Sequence, residues 1–525
     1  MAGDATTRGS AALRAVTAVG AGLALAVSFE PYELPVLLPV GVAGFAWAVH
    51  GVRVRRGLWL GLLTGAAFMF VHLFWMRSVG WDAWLMLSVL ETSFFVPLGG
   101  AVAAVSRRRG WPLWTAALWV AVEVWRSGWP FGGMPWGRLA YATADTPFAD
   151  ALPYVGSTGV GLLVALCGTT LAWALLAVRH RPLPVLIAGA GLVAAILLPV
   201  LAPYAATSDG ELTVAAVQGD VPGPGTDILY DHRQVTRNHV DVTIRLAEDA
   251  AAGKVPAPDF VVWPENSTAL DPFLDASLND QIREAVAVAG VPILVGAISN
   301  DPEPGKILNQ GIVWTPTTGA ADRYTKRHPV PYGEYIPWRD SNPLTSRFDE
   351  LARVARDMQA GTRADPLSIA GIEVADAICF DVAYDDGIYA QVEAGARLLV
   401  VQTSNATFSR TSQLDQQFEI TRVRALETGR HVVVASTNGI TGVIAPDGLV
   451  TSRLERRTQG YVVERVPLTS DVPPGVRLGP WVGWACLVVA ISALVLSLLS
   501  HRRRAEPTMP EATHRNLAPN AEERR

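Results

Sequence analysis

One cysteine stands in the polar part of this chain, at the end of the apolar run Ala375-Asp376-Ala377-Ile378-Cys379, with Phe380 and Asp381 directly after it. A thiol becomes a nucleophile when it loses its proton, so it needs a base and gains from a nearby cation. Another apolar run and a loop offer groups of those kinds. Glu265 follows the run Phe260-Val261-Val262-Trp263-Pro264, and Lys326 lies in the loop from Tyr324 to Pro337. Polar groups at strand ends are where α/β domains place their chemistry. A carboxylate, an ammonium and a thiol meeting there could carry out nucleophilic catalysis, with the backbone N–H of Phe380 completing an oxyanion site. Taken singly, each residue also fits a plainer role: Glu265 a helix cap, Lys326 a solvated charge, Cys379 a small buried side chain.

The elements that must position these groups lie in a stretch of roughly 255 residues, ample for a substantial core. Strand-like apolar runs fall at 212–218, 260–263, 291–298, 310–315, 372–380, 396–403, 431–437, 441–444 and 461–466, and helical stretches at 230–252, 280–289 and 413–428. Continuous Val/Ile-rich strands alternating with helices predict sheets covered on their faces.

The rest of the chain is of another kind. Of 525 residues, 50% are hydrophobic and 17% charged, and the mean hydropathy is positive. Apolar segments near 13–29, 34–52, 57–76, 83–105, 113–125, 158–178, 182–203 and 481–500 each approach the ~20 residues that cross a bilayer core, the fifth being the shortest. The first is expected to be retained rather than cleaved, because further spans follow at once. Arg8 and Arg14, Arg53 to Arg56, Arg107 to Arg109, Arg179 to Arg181 and Arg502 to Arg504 occupy alternate loops, so the positive-inside rule puts these loops in the cytoplasm and the 211–467 stretch outside. The net charge of −5 argues against nucleic-acid binding. Cys167 and Cys486 lie within apolar runs, and Cys379 is left without a disulfide partner in its own domain. The nine histidines show no paired-ligand spacing, so no metal is expected.

Several features bear on lipid. The loop after the fifth segment, from Trp125 to Gly137, is rich in Trp, Gly and Pro, and Arg126 and Arg138 flank it. It reads equally as a platform for lipid headgroups, with Trp129, Trp136 and Arg138 as contacts, or as an ordinary aromatic belt. Glu91 and Glu123, in or beside spans, fit a functional or a structural pairing. The stretches 270–278, with Phe273 and Leu274, and 336–361, with Trp338, Leu344, Phe348 and Leu351, read as amphipathic lids or as long packed loops.

Trp263-Pro264-Glu265-Asn266, the Lys326 loop closing in Pro331-Tyr332-Gly333-Glu334-Tyr335-Ile336-Pro337, and the Cys379 strand resemble the three signature regions of the nitrilase superfamily. More narrowly, with Arg422 to Arg430 and Ser436 to Thr441, they resemble the membrane-embedded apolipoprotein N-acyltransferases. That resemblance implies a polytopic α-helical membrane bundle of eight spans plus an α/β nitrilase-like αββα sandwich domain. It divides the chain into a membrane domain at 1–205, an extracytoplasmic catalytic domain at 206–470, an eighth span at 471–502 and a disordered cytoplasmic tail at 503–525. It makes Glu265 the base, Lys326 the transition-state stabiliser and Cys379 the nucleophile, with Glu334, Phe380 and Asp381 in support. It implies a phospholipid acyl donor, a diacylglyceryl lipoprotein acceptor, a cysteine thioester, no cofactor and a monomer in the bacterial cell membrane. The alternative is a membrane-anchored amidase of the nitrilase type. Phe380 and Asp381 stand where the family usually has Tyr and Glu, and Gly219 and Asp220 stand where it commonly has Asn.

Overall fold

The computed structural model describes residues 2–505 except 228–229, 343–350 and 352–353. Seven helices come first: α1 (Ala2–Ala26), α2 (Leu37–Val49), α3 (Val54–His72), α4 (Trp81–Val105), α5 (Trp111–Gly128), α6 (Leu152–Ala177) and α7 (Pro182–Leu201). Their close crossings use small residues, as helices in lipid do. A Cβ on Gly61 of α3 would sit 2.1 Å from the Phe95 carbonyl oxygen of α4, and one on Gly99 would sit 2.2 Å from that of Gly57. α7 buries only Val185, leaving a Leu- and Ile-rich surface that suits hydrocarbon rather than water.

The α/β stretch follows as β1 (Glu211–Gln218), α8 (His232–Ala251), β2 (Phe260–Val262), α9 (Ala276–Ala289), β3 (Ile293–Asn300), β4 (Lys306–Thr315), β5 (Gly319–Thr325), β6 (Asp357–Met358), β7 (Leu367–Ile369), β8 (Ile372–Ile378), α10 (Asp385–Glu393), β9 (Leu398–Thr403), α11 (Gln413–Thr428), β10 (Val432–Ser436), β11 (Gly442–Ile444), β12 (Val450–Arg453) and β13 (Gly460–Pro467). One sheet runs β13-β1-β2-β3-β4-β5 with β6 on β4; the other runs β12-β11-β10-β9-β8-β7. Side chains alternate across each strand. Leu212, Val214 and Ala216 therefore meet Val374, Ile378, Val400 and Val433 between the sheets, while Ala215 and Val217 face α8 and α9. On the far sheet, Ala375, Ala377, Leu399 and Val401 face α10 and α11. This is the four-layer helix–sheet–sheet–helix sandwich. The hairpin strand β5, the short β6, β7 and β12, and helix α10 were not anticipated; their polar or very short segments carry little periodic signal.

Last comes α12 (Pro474–Ala505), which returns to the bundle and packs on α5 and α6. Thus a helix stands at or near each expected apolar segment, but only α3, α4, α6, α7 and α12 are long and apolar enough to cross a bilayer, five among the described residues. The shortest is α2 rather than the fifth: its 13 residues rise ~20 Å, against a ~30 Å hydrocarbon core.

The two parts share one seam. α11 and its neighbours form a continuous apolar cluster with the bundle, and an ionic and hydrogen-bonded set runs through it. Arg424 meets Glu427 at 2.5 Å and Asp385 at 2.8 Å. Glu427 accepts the Ser157 backbone N–H at 2.5 Å, and Tyr141 donates to the Ala383 carbonyl at 2.5 Å.

Candidate active site

Glu265, Lys326 and Cys379 each lie just past a strand: β2, β5 and β8. The backbone turns sharply after β2 and β8, with positive φ at Asn266 (58°) and Cys379 (53°). Non-glycine residues in that region cost on the order of 1–3 kcal/mol each and persist where surrounding structure enforces them. At Cys379 the enforcement is visible. The Asp381 carboxylate accepts from His328 N at 2.7 Å, Arg327 N at 3.1 Å and Tyr324 Oη at 3.2 Å. One carboxylate thereby joins the turn after Cys379 to the loop that carries Lys326. Burial raises the Asp381 pKa, opposed by His328, Lys326 and these N–H groups.

Lys326 is fully buried between two carboxylates, Glu265 at 3.1 Å and Glu334 at 2.6 Å. Burial pulls its ammonium towards neutrality, but Glu265 and Glu334 outweigh that and hold its pKa well above the usual value. Glu265 Oε1 also accepts from Asn309 Nδ2 at 2.8 Å and Oε2 from Ser404 N at 2.9 Å, which fixes the carboxylate. Glu334 accepts from Val330 N at 2.8 Å; burial raises its pKa against the pull of Lys326. The Cys379 thiol is only partly covered by surface area, yet burial and then the Glu265 charge push it up to about 12, with Lys326 and the Thr403 hydroxyl acting the other way. The Glu265–Lys326–Glu334 cluster carries one excess negative charge, so a free thiolate added to it would be repelled. Passing the thiol proton to Glu265 keeps the total unchanged, which is the chemistry this arrangement favours.

The first family model that matches, the apolipoprotein N-acyltransferase N-terminal domain, covers residues 21–170, and carbon-nitrogen hydrolase covers 213–470. The apolipoprotein N-acyltransferase of Mycolicibacterium smegmatis is 36% identical over 516 residues, 94% of this chain and 86% of its own. The chain belongs to the apolipoprotein N-acyltransferase family. The namesake enzyme of Photobacterium profundum is 26% identical over 94% of this chain and 96% of its own. Among solved structures, the NitN amidase from Neterenkonia sp. AN1 covers 51% of this chain and 95% of its own at 16% identity, with a TM-score of 0.37.

The two family departures occupy definite places. Asp381 makes the loop-joining contacts above. Phe380 stacks on Trp136 (centroids 6.1 Å apart) and meets Tyr384 edge-on at 5.2 Å, inside the seam with the bundle.

The expected headgroup contacts divide. Trp136 and Arg138 are buried, which corrects the expectation for both. Trp136 donates to Gln416 at 2.7 Å, and Arg138 pairs with Asp385 at 2.8 Å and donates to Thr158 at 2.8 Å. Arg126 is likewise internal: it meets Glu91 at 3.2 Å and donates to the carbonyls of Met134 and Trp136 at 3.0 and 2.6 Å, closing the Trp-rich loop from within. Glu123 accepts from Trp119 and from Leu139 N, so both span carboxylates have structural partners. The other three candidates are on the surface: Trp129 is 57% exposed, Phe273 43% and Trp338 72%. Trp338 rests edge-on against Phe131 at 5.1 Å, and Phe273 stacks on Trp314 at 5.8 Å. Leu344 and Phe348 lie outside the described residues.

Sequence reasoning missed Asn309, Thr403, Gln417 and Asp376. Gln417 donates to the Cys379 carbonyl at 3.4 Å. Asp376 lies between the sheets, where a Cβ on Gly311 would sit 2.1 Å from its Oδ2 and 2.5 Å from Gln402 Oε1. Its place on β8, three residues before Cys379, was the one available signal.

Proposed function

We propose that this chain transfers an acyl chain from a phospholipid to the α-amino group of the diacylglyceryl-cysteine that begins a lipoprotein, through a thioester on Cys379. Glu265 takes the thiol proton as sulfur attacks the ester carbonyl. Lys326 and the Phe380 N–H stabilise the oxyanion. The ester C–O bond breaks, Glu265 protonates the departing lysophospholipid oxygen, and the acyl group remains on sulfur. The acceptor amine then attacks the thioester and gives its proton to Glu265, and the thiolate leaves and recovers that proton. No outside oxidant or cofactor enters this balance. Glu334 keeps Lys326 aimed and charged.

The buried Glu265–Lys326 pair at 3.1 Å, beside a lone thiol and above an apolar bundle, is the observation that carries this reading. The alternating basic loops support eight spans with the 206–470 domain outside the cell membrane. In that arrangement Trp129, Phe273 and Trp338 offer exposed aromatic surface to lipid.

The test incubates purified protein with labelled phospholipid and looks by mass spectrometry for an acyl thioester on Cys379. Wild type is expected to carry it and Cys379→Ala to lack it, while Lys326→Ala stays folded and forms none. Turnover of a soluble amide with no acyl-enzyme would replace the transferase reading by the amidase one.

A further inference from the structure

The stretch 336–361, which reads in the sequence as a lid, is bonded at both ends into the site. Near its start, Ile336 N donates to Asp357 Oδ1 at 2.8 Å, and Arg339 meets the same carboxylate through Nε at 2.9 Å and Nη2 at 2.5 Å. Arg339 Nη2 also donates to the Val354 carbonyl at 2.9 Å. Asp357 opens β6, a strand of only two residues that pairs with β4. From there the chain gives three backbone N–H groups to the site. Met358 donates to the Glu334 carbonyl at 2.9 Å, Gln359 to that of Ile307 at 2.9 Å, and Gly361 to that of Lys326 at 2.8 Å. The last approach is close: a Cβ on Gly361 would sit 2.1 Å from the Thr325 carbonyl oxygen.

Glu334 and Lys326 are thus held by their main chains as well as by their 2.6 Å side-chain contact. Lys326 N also donates to the Asn309 carbonyl at 2.8 Å, while the Asn309 side chain holds Glu265. A two-residue strand has few ladder bonds of its own, so its side-chain ties decide where it lies. Asp357 supplies three. Arg339 and Asp357 are 33% and 29% exposed, and as an ion pair alone they would be worth little. Their weight is geometric. The Asp357 carboxylate fastens Ile336, two residues after Glu334, and the next residue, Met358, fastens the Glu334 carbonyl. A ring closes through Glu334, Tyr335, Ile336, Asp357 and Met358.

We propose that Asp357 is a positioning residue for the acyl transfer: by closing this ring it fixes the Glu334 main chain, and through the Glu334 carboxylate it fixes the Lys326 ammonium that meets the oxyanion. Opening the ring leaves Lys326 charged, since Glu265 stays beside it, but no longer held to one place. Such a misplacement acts on the transition state rather than on the bound lipid. The inference rests on the roles proposed above for Glu334 and Lys326.

The experiment measures the rate of acyl-enzyme formation against phospholipid concentration, with the full-length chain in detergent micelles. Asp357→Ala is expected to lower the maximal rate by roughly 10- to 100-fold, the cost of a small displacement of a reacting group. The half-saturating phospholipid concentration and the unfolding temperature should stay close to those of wild type. Arg339→Met, which leaves Asp357 on Ile336, is expected to lower the maximal rate by less, and Arg339→Lys to recover part of that loss. These two variants keep the proposal testable should Asp357→Ala fail to fold. A wild-type maximal rate in Asp357→Ala, or in Arg339→Met where the first variant does not fold, overturns the proposal. A loss confined to the half-saturating concentration also overturns it, and would make the stretch a lipid contact. Wild type that turns over a soluble amide without any acyl thioester, and does so more slowly once Asp357 is replaced, would instead overturn the transferase reading and leave the positioning role standing.

Discussion

Asp376 illustrates how much a single side chain near Cys379 can govern. It is fully buried between the sheets, and neither of its oxygens meets a hydrogen-bond donor among the described residues. Burial, then the charges of Asp381 and Glu265, raises its pKa well above the usual 3.8. A carboxyl whose folded pKa is raised takes up a proton on folding, so its contribution is fully present below the unfolded value and is lost as pH rises towards the folded one. Asp376→Asn removes that proton uptake while keeping the shape. Thermal unfolding in detergent at pH 5 and pH 8 is expected to show a smaller pH dependence in the variant than in wild type, with the variant at least as stable at pH 8. A marked loss at pH 8 would mean that the native carboxylate is ionised and paired. Gly311→Ala should be far worse at either pH, because the added methyl would overlap both Asp376 and Gln402.

At the scale of elements, the site depends on loops that follow strands and on the one carboxylate joining two of them. Asp381→Ala strands three donors, from Tyr324, Arg327 and His328. Leaving buried donors without partners costs about 1–3 kcal/mol each at most. Because the Lys326 loop would lose its tie to the Cys379 turn, acyl-enzyme formation should fall more steeply than the unfolding temperature. A variant with normal rates would show that the loops hold their places independently. Glu265 and Cys379 were legible in the sequence because their strand ends are marked by abrupt changes from Val and Ile to polar residues; Lys326 follows the polar strand β5 and was legible only through the resemblance of its loop, and α11 was legible from its length. What escaped were partners remote in sequence. Arg138 lies 247 residues from Asp385, and Trp136 lies 280 from Gln416. Beside so many tryptophans, arginines at a membrane edge resemble lipid anchors until the opposing carboxylate is in view. Thr403 and Asn309 lie in ordinary apolar strands, and nothing local distinguishes a polar residue facing a catalytic group from one facing solvent.

For the molecule as a whole, the seam between bundle and sandwich is built from buried ions as well as hydrocarbon. Arg424 is fully buried against Glu427 and Asp385. Removing one member of such a set while leaving the rest typically destabilises by about 3–5 kcal/mol. Arg424→Leu is therefore expected to lower the unfolding temperature and to release the sandwich to proteolysis, with intact Cys379 chemistry in whatever fraction remains assembled. An unfolding temperature equal to that of wild type would show the ion set to be dispensable. On α11 the neighbouring residues Gln416 and Gln417 face opposite ways. Gln416 donates to the carbonyls of Glu30 and His72 in the bundle at 2.9 and 3.2 Å, and Gln417 donates to that of Cys379 at 3.4 Å. A single helical turn thus works as a depth gauge. It ties the backbone that carries the Cys379 sulfur to the carbonyls of the bundle, so the height of that sulfur is set by the helices and not by the sandwich alone.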